Sequence, residues 1–155
     1  MKAEIEILGS NDIDKLDELI SVFESVFEME NFKRPSKTHF QKLLSKDNFL
    51  AVIAKTDNKI IGGLTVYLLD QYYSERPLAY LYDLAVLTEY QRNGIGKKLI
   101  EFTKEYCGHQ GLKELFVQAD KADDHAIDFY RLTKPKKEEQ VIHFSYILTN
   151  ELDKG

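Results

Sequence analysis

The sequence reads Tyr80-Leu81-Tyr82-Asp83-Leu84-Ala85-Val86 and then, after four residues, Gln91-Arg92-Asn93-Gly94-Ile95-Gly96. The first segment alternates aromatic and aliphatic side chains around one acid and ends in a β-branched residue, which predicts a buried strand. The second segment is a cationic, glycine-rich turn. The apolar periodicity that follows it predicts a helix opening near Ile95. Strand, loop and helix therefore succeed one another here, and the rest of the chain is arranged around this unit.

The glycine-rich turn has the properties of an anion site. Gly94 and Gly96 remove two Cβ atoms where the chain enters the helix, so backbone N–H groups can approach an anion at the positive end of the helix dipole. Arg92 adds a fork of donors that suits phosphate oxygens. The spacing Q-x-x-G-x-G excludes the dinucleotide fingerprint, which requires glycine at Leu99, and the P-loop, which requires Ser or Thr at Lys98.

Composition limits the class of protein. The 155 residues suit one domain, 1–155, and 43% hydrophobic with 30% charged residues is typical of a globular chain. No run approaches the roughly 18 apolar residues of a membrane span, so no membrane partner is expected. The N-terminus lacks a secretory signal and Cys107 is the single cysteine, which predicts a cytoplasmic location. A net charge of −5 argues against nucleic acid and suits a cationic small-molecule substrate, although ordinary solubility also explains it.

Hydrophobic periodicity predicts ten helices and strands along the whole chain, including those of this unit. Their order is a strand, two helices, three strands, a helix, a strand, a helix and a final strand. The predicted ranges are 2–8, 13–27, a short helix capped by Ser36, 48–54, 60–69, 80–86, 95–107, 115–118, 125–132 and 141–148. This order predicts a mixed α+β fold with a sheet that is antiparallel early and parallel at its centre. Gly62-Gly63 inside a strand suggests a bulge or the close packing of another backbone.

The Q-x-x-G-x-G turn resembles the pyrophosphate motif of the GCN5-related N-acetyltransferase (GNAT) superfamily. The resemblance implies the GNAT fold, in which two central parallel strands splay apart, and it implies acetyl-CoA as co-substrate. It further implies that main-chain groups of one splayed strand bind pantetheine and that the turn binds the diphosphate. The residues so implied are Leu84, Ala85 and Val86 for pantetheine, and Gln91, Arg92, Asn93, Gly94, Ile95, Gly96 and Lys97 for the diphosphate. Leu84, Ala85 and Val86 would equally serve as core.

A second superfamily motif, A-x-x-F/L-Y, is matched by the segment Ala126-Ile127-Asp128-Phe129-Tyr130. The resemblance implies that Tyr130 lies at the cofactor and protonates the leaving thiolate, whereas most helical tyrosines are core. Asp123 falls where the superfamily often has an Asn that touches pantetheine. The superfamily's following L-G-F is replaced by residues 132–135, so the local backbone there is not implied.

Several segments are similar to the gentamicin-type aminoglycoside 3-N-acetyltransferases. They are 80–86, 117–120, 129–133 and 138–144, and the resemblance covers roughly residues 47–148. It implies direct acetyl transfer, in a ternary complex, to the 3-N amine of an aminoglycoside or to a similar polyamine. Homodimers are frequent in the family, and the closing strand offers an edge for pairing with a second copy. Two alternatives remain open: acetylation of a peptide α-amine or small metabolite amine, and a non-catalytic module that senses acyl-CoA.

Direct transfer requires a neutral amine, and an alkylammonium of pKa about 10 must first lose a proton. Asp83 is the candidate base, directly or through water; a structural role as a cap or an ion-pair partner is the open alternative. Strict alternation places Tyr82 on the opposite face, and a bulge near Leu84 would reconcile the two; without it, the role shifts to Tyr82 and a water chain. Asp120, Asp123 and Asp124 are candidates for binding the substrate's ammonium groups, although Asp123 and Asp124 are also natural N-cap residues. No set of residues has metal-ligand spacing, so no metal is expected.

Overall fold

The computed structural model describes residues 2–149, so Met1 and residues 150–155 of the predicted domain lie outside the described part. The strands are β1 (Glu4–Ile7), β2 (Phe49–Thr56), β3 (Lys59–Leu69), β4 (Leu78–Val86) and β5 (Glu114–Val117). The helices are α1 (Ile13–Val26), α2 (Lys37–Leu44), α3 (Ile95–His109) and α4 (Asp124–Leu132), with a 3₁₀ turn at Thr88–Tyr90. The predicted order of elements is confirmed as far as α4.

The five strands form one mixed sheet in the order β1-β2-β3-β4-β5. The first three pairings are antiparallel and the pairing of β4 with β5 is parallel, which confirms the predicted fold class. The β2–β3 hairpin closes through Asp57 and Asn58, both with positive φ (50° and 65°). Asp and Asn tolerate this backbone region better than other non-glycine residues, which explains the tight turn.

Helices cover both faces of the sheet. On one face α1 contributes Leu16 and Leu19, which pack in a cluster with Ala51 and Ile53 of β2. We call this the α1 face. The opposite α3 face carries Leu64 of β3 together with side chains of α3. Apolar burial on both faces explains the near-continuous hydrophobic runs in β2 and β3.

The paired glycines of β3 are sites of close packing. A Cβ on Gly63 would lie 2.5 Å from the Leu19 side chain, and one on Gly62 would lie 2.9 Å from the Ala85 carbonyl oxygen. The predicted close approach is therefore confirmed. A bulge also lies beside the glycine pair, because Ala54 pairs with Gly62 and Lys55 with Ile60, which leaves Ile61 without a partner on β2.

The predicted final strand, Val141–Leu148, is wrong as an element of this sheet. Residues 141–149 are irregular and exposed. A strand persists only where its backbone groups are paired and one face is buried, and this segment has neither in its own chain. Within residues 2–149, the structure contains no helix with the length and apolarity that a bilayer crossing requires.

Candidate active site

Strand β4 contains a bulge at Tyr82. Thr65 of β3 pairs with Asp83 and the next residue, Val66, pairs with Leu81, so Tyr82 has no partner on β3. The bulge predicted near Leu84 thus exists, two residues earlier. Thr65 lies on the α1 face because it pairs with Ala51, and Asp83 follows it to that face.

Tyr82 lies on the same face as Asp83. Its ring packs edge-on against Tyr67 with centroids 5.7 Å apart, and Tyr67 belongs to the α1-face cluster. Leu81, in contrast, is buried in the α3-face cluster. Without the extra residue, strict alternation would separate the phenol from the carboxylate. The bulge therefore brings together the two predicted proton-transfer residues.

The parallel strands separate beyond the bulge. Pairing of β4 with β5 runs from Leu78–Glu114 to Leu81–Val117, while β4 continues to Val86. Among the described residues, 83–86 are therefore paired only on their β3 side, and Tyr82 is paired on neither side. The main chain of Leu84, Ala85 and Val86 borders this opening, as the sequence predicts for a pantetheine channel. The Gln91 side chain donates to the Val86 carbonyl at 2.9 Å, at the end of β4.

The turn after β4 leaves backbone N–H groups without an intrahelical acceptor at the start of α3. Gly94 is the N-cap in left-handed conformation (φ 76°), and Arg92 also has positive φ (65°). The Lys98 N–H donates to the Gly94 carbonyl at 3.0 Å, so the N–H groups of Ile95, Gly96 and Lys97 precede the first intrahelical bond. Together with the exposed Arg92, they fit a diphosphate.

Two of the predicted cofactor residues support this turn through their side chains. The Asn93 amide donates to the carbonyls of Tyr90 (3.0 Å) and Gln91 (3.2 Å), and Gln91 holds Val86 as described above. These amides are therefore committed to the protein's own backbone. The groups of this turn that remain as candidates for binding an anion are the backbone N–H groups and Arg92.

The two glycines of the turn are required for different reasons. A Cβ on Gly94 would meet nothing within 4 Å, so its positive φ explains the glycine. A Cβ on Gly96 would lie 2.8 Å from Cζ of Phe129. The packing of Phe129 therefore gives Gly96 a second reason to lack a side chain, beside the approach of an anion that the sequence predicts. This contact joins the turn to the helix that carries Tyr130.

Asp83 and Tyr130 lie close enough for the charge of Asp83 to act on the Tyr130 hydroxyl. Burial raises the pKa of the Asp83 carboxyl above its ordinary value. Burial also raises the pKa of Tyr130 to about 12, and the negative charges of Asp83 and Asp123 add to the effect. Asp83 is consequently a stronger base than a surface aspartate, and Tyr130 remains protonated at every pH at which the protein would work.

The other predicted acids have local roles around the start of α4. Asp123 is the N-cap and accepts from the Ala126 N–H at 3.0 Å. Asp120 accepts from the Ala122 N–H at 2.9 Å. Asp124 is exposed in the first turn of the helix. One carboxylate oxygen of Asp120 and one of Asp123 therefore accept hydrogen bonds from the chain's own backbone. In the described residues 2–149, no three His, Cys, Asp or Glu side chains are grouped as a metal site would require.

The sequence reasoning missed a row of aromatic rings that crosses the α1 face from β2 to β5. Neighbouring centroids are 4.7 to 5.7 Å apart, and two of the rings are stacked within 5° of parallel. Alternation within β4 could have found two members, but the others are joined only by strand register. The members of this aromatic row are Phe49, Tyr67, Tyr82, Tyr80 and Phe116.

Comparison with known proteins identifies relatives of the whole fold. Residues 14–133 match the model of the acetyltransferase (GNAT) family. An aminoglycoside acetyltransferase from an uncultured soil metagenomic sample, solved in complex with sisomicin, is 57% identical, with a TM-score of 0.94. The match covers 95% of this chain and 97% of that one.

Two further relatives extend the comparison. A second aminoglycoside acetyltransferase from an uncultured soil metagenomic sample is 34% identical, with a TM-score of 0.90 over 96% of this chain and all of that one. An uncharacterized N-acetyltransferase of Archaeoglobus fulgidus is 28% identical over 127 residues, which cover 77% of this chain and 85% of the relative.

Proposed function

The chain belongs to the acetyltransferase (GNAT) family and is an N-acetyltransferase, and we propose that it acetylates an aminoglycoside, at the 3-N position, or a similar polyamine. We propose that acetyl-CoA donates the acetyl group. We also propose that residues 1–155 form a single domain and that the protein is cytoplasmic. The bulge at Tyr82 carries this proposal, because it places a base, Asp83, on the α1 face at the start of the opening between β4 and β5. The similarity to an aminoglycoside acetyltransferase solved with sisomicin supports the acceptor class.

The donor would lie between the start of α3 and the open edge of β4. The N–H groups of Ile95, Gly96 and Lys97 and the Arg92 guanidinium would bind its diphosphate. Main-chain groups of Leu84, Ala85 and Val86 would bind the pantetheine arm, and one N–H there would polarise the thioester carbonyl. When bound, acetyl-CoA supplies an activated acyl carbon that a neutral amine can attack.

Asp83 would make the amine nucleophilic. Its carboxylate, directly or through one water, accepts the proton of the incoming ammonium group, and its raised pKa improves its strength as a base. The Tyr82 hydroxyl lies on the same face and would orient that water or the amine. Amine attack in a ternary complex needs no covalent enzyme intermediate, in keeping with the location of the sole cysteine, Cys107, buried in α3.

Tyr130 would stabilise the departing sulfur. A phenol with a pKa of about 12 holds its proton more strongly than a thiol of pKa about 8.5, so complete transfer to the thiolate is unfavourable. The O–H group can still donate a hydrogen bond to sulfur as negative charge develops there. We therefore assign Tyr130 as a hydrogen-bond donor to the leaving group, with complete protonation left to solvent.

The aromatic row and the acids would select a cationic, ring-shaped acceptor. Aromatic faces attract ammonium groups and pack against the apolar faces of sugar rings. Asp120 and Asp124 would attract further ammonium groups, and Asp123 would contact pantetheine with the carboxylate oxygen that does not cap α4. An aminoglycoside combines several ammonium groups with rigid rings, which matches both features.

The test is a thiol-release assay with acetyl-CoA against gentamicin, spermidine and short peptides, followed by NMR of the product. We expect release with gentamicin and a single acetyl group on its 3-N amine. Acetylation at another amine would refute the regiochemistry alone. Release only with peptides would move the acceptor to the α-amine class, and tight CoA binding without any release would favour a sensor.

A further inference from the structure

Thr65 is a buried polar residue whose hydroxyl the fold does not use. In the described part of the chain, residues 2–149, the buried polar side chains are those of Thr65, 7% exposed, and Thr103, fully buried. The Thr103 hydroxyl donates to the Leu99 carbonyl at 2.8 Å. The Thr65 hydroxyl makes no hydrogen bond to residues 2–149, and no fully enclosed side-chain oxygen or nitrogen there lacks a partner, so this oxygen is accessible from outside.

A hydroxyl at this position has a cost. Valine has nearly the same shape as threonine and is equally suited to a strand, whereas burying a hydroxyl without a protein partner lowers stability. The flanking residue on β2 is Ala51, and the facing helix α1 supplies apolar side chains. Packing alone therefore favours valine here, and the hydroxyl calls for another explanation.

Thr65 lies directly opposite the candidate base. It pairs with Asp83 between β3 and β4, beside the bulge at Tyr82. Directly opposed residues of an antiparallel pair share one face of the sheet, with Cβ atoms about 4.5–5.5 Å apart. The hydroxyl and the carboxylate therefore lie side by side on the α1 face.

The Asp83 carboxylate has no partner of its own. It forms no hydrogen bond or ion pair with residues 2–149, and burial accounts for its raised pKa. The titratable groups around it that feel its charge are phenols, those of Tyr67 on β3, Tyr80 on β4 and Tyr130 on α4. Two neighbouring oxygen groups that do not bond each other directly are suited to a bridging water.

We propose that Thr65 is a positioning residue for proton transfer, because its hydroxyl and the Asp83 carboxylate hold one water between them. The inference rests on the proposed function, in which Asp83 is the base. The water donates one O–H to Asp83 and the other to the Thr65 oxygen, so its lone pairs face the incoming ammonium group. As the ammonium N–H bond breaks, the water takes that proton and passes one of its own to Asp83. The products are a neutral amine, an intact water and a protonated Asp83.

An NMR titration of the Asp83 carboxyl tests this contact without any acceptor. The full-length protein is labelled with ¹³C-aspartate, and Asp83→Asn identifies the Asp83 signal. A hydrogen bond to an ionised carboxylate lowers its pKa, so we expect a higher Asp83 pKa in Thr65→Val and nearly the unsubstituted value in Thr65→Ser. Thr103→Val, the same change at the other buried threonine, is the control and should leave the Asp83 pKa unchanged. An unchanged Asp83 pKa in Thr65→Val would overturn the proposal.

Kinetics with acetyl-CoA and gentamicin test the role in turnover. Thr65→Val should lower kcat about five- to thirtyfold, the loss of one hydrogen bond. It should also move the acid limb of the rate profile to higher pH and leave the acetyl-CoA Kd unchanged. Thr65→Ser retains a hydroxyl and should keep kcat within about threefold, while Thr103→Val should match the unsubstituted enzyme. Adding Thr65→Val to Asp83→Asn should cause no further loss, because residues that act as a unit are not additive.

The outcomes separate this inference from the proposed function. If Asp83→Asn loses turnover while Thr65→Val keeps the unsubstituted kcat and acid limb, Asp83 is the base and Thr65 does not position its water. Fully additive losses in the double variant would also overturn the link between the two residues. If Asp83→Asn keeps full turnover, the base assignment is wrong and the inference is refuted with it. If gentamicin is not acetylated, the titration decides the contact by itself, and Thr65→Ala repeats it should the valine variant not fold.

Discussion

Replacing Gly96 with alanine separates two explanations for this glycine. The new Cβ would lie 2.8 Å from Phe129 Cζ and 3.0 Å from its Cε1, so the ring must move by about 0.6 Å or more to restore ordinary contact. Overpacking of this kind costs about 1–3 kcal/mol, while alanine in a helix gains about 0.5–1 kcal/mol over glycine. We expect a net loss of about 0–2.5 kcal/mol, or up to about 10 °C in Tm.

The kinetic effect should appear in turnover. Phe129 precedes Tyr130 on α4, so displacing the ring displaces the phenol, and a misplacement near 1 Å can lower kcat by up to about a hundredfold. The measurements are Tm by calorimetry, kcat by thiol release and the acetyl-CoA Kd. Gly108→Ala is a matched control, because this glycine of α3 has nothing within 4 Å of the new Cβ. It should stabilise the protein slightly and leave kcat unchanged.

A second substitution decides between the explanations. Phe129→Leu removes the ring edge, so combining it with Gly96→Ala should recover part of the lost stability, giving a coupling energy above about 0.5 kcal/mol. If acetyl-CoA affinity falls as much as kcat and the double variant shows no coupling, the ring contact is irrelevant. The glycine would then be required for approach of the diphosphate, as the sequence alone suggests.

Three further predictions concern the same site. Asp83→Asn should lower kcat by about 10²- to 10⁴-fold with unchanged acetyl-CoA Kd. Because the pKa of Asp83 is raised in the folded protein, the free energy of unfolding falls as pH rises from the unfolded-state pKa to the folded-state pKa. The variant should therefore have a higher Tm at pH 7, and its rate profile should lack the acid limb. Equal losses in kcat and in binding would mean a structural acid. Tyr130→Phe should lower kcat by about tenfold to a hundredfold, and, with a pKa of about 12, Tyr130 should produce no alkaline limb below pH 10 in the unsubstituted enzyme; such a limb that disappears in the variant would refute the assignment. Gly94→Ala should cost about 1–2 kcal/mol through its positive φ alone, and Gly94→Asn less, as urea titration can measure; equal costs would point to a steric cause.

The sequence predicts most of the fold because local chemistry and periodicity agree in it. The hairpin turn at Asp57 and Asn58, the cap at Asp123 and the glycine-rich opening of α3 each have a residue type that the local backbone requires. Strand register lies beyond such local rules. The aromatic row joins residues as distant as 49 and 116, and its rings meet only after β2 to β5 have been aligned.

The bulge shows why a site can be inferred and still be misplaced. The proposed proton transfer needs Asp83 and Tyr82 on one face of β4, and an extra residue in the strand achieves this. Its position depends on how β3 pairs with β4, and the ring of Tyr82 packing on Tyr67 fixes it two residues before the expected place. The sequence indicates that β4 needs a bulge, whereas the residue at which the bulge lies follows only from the pairing of β4 with β3.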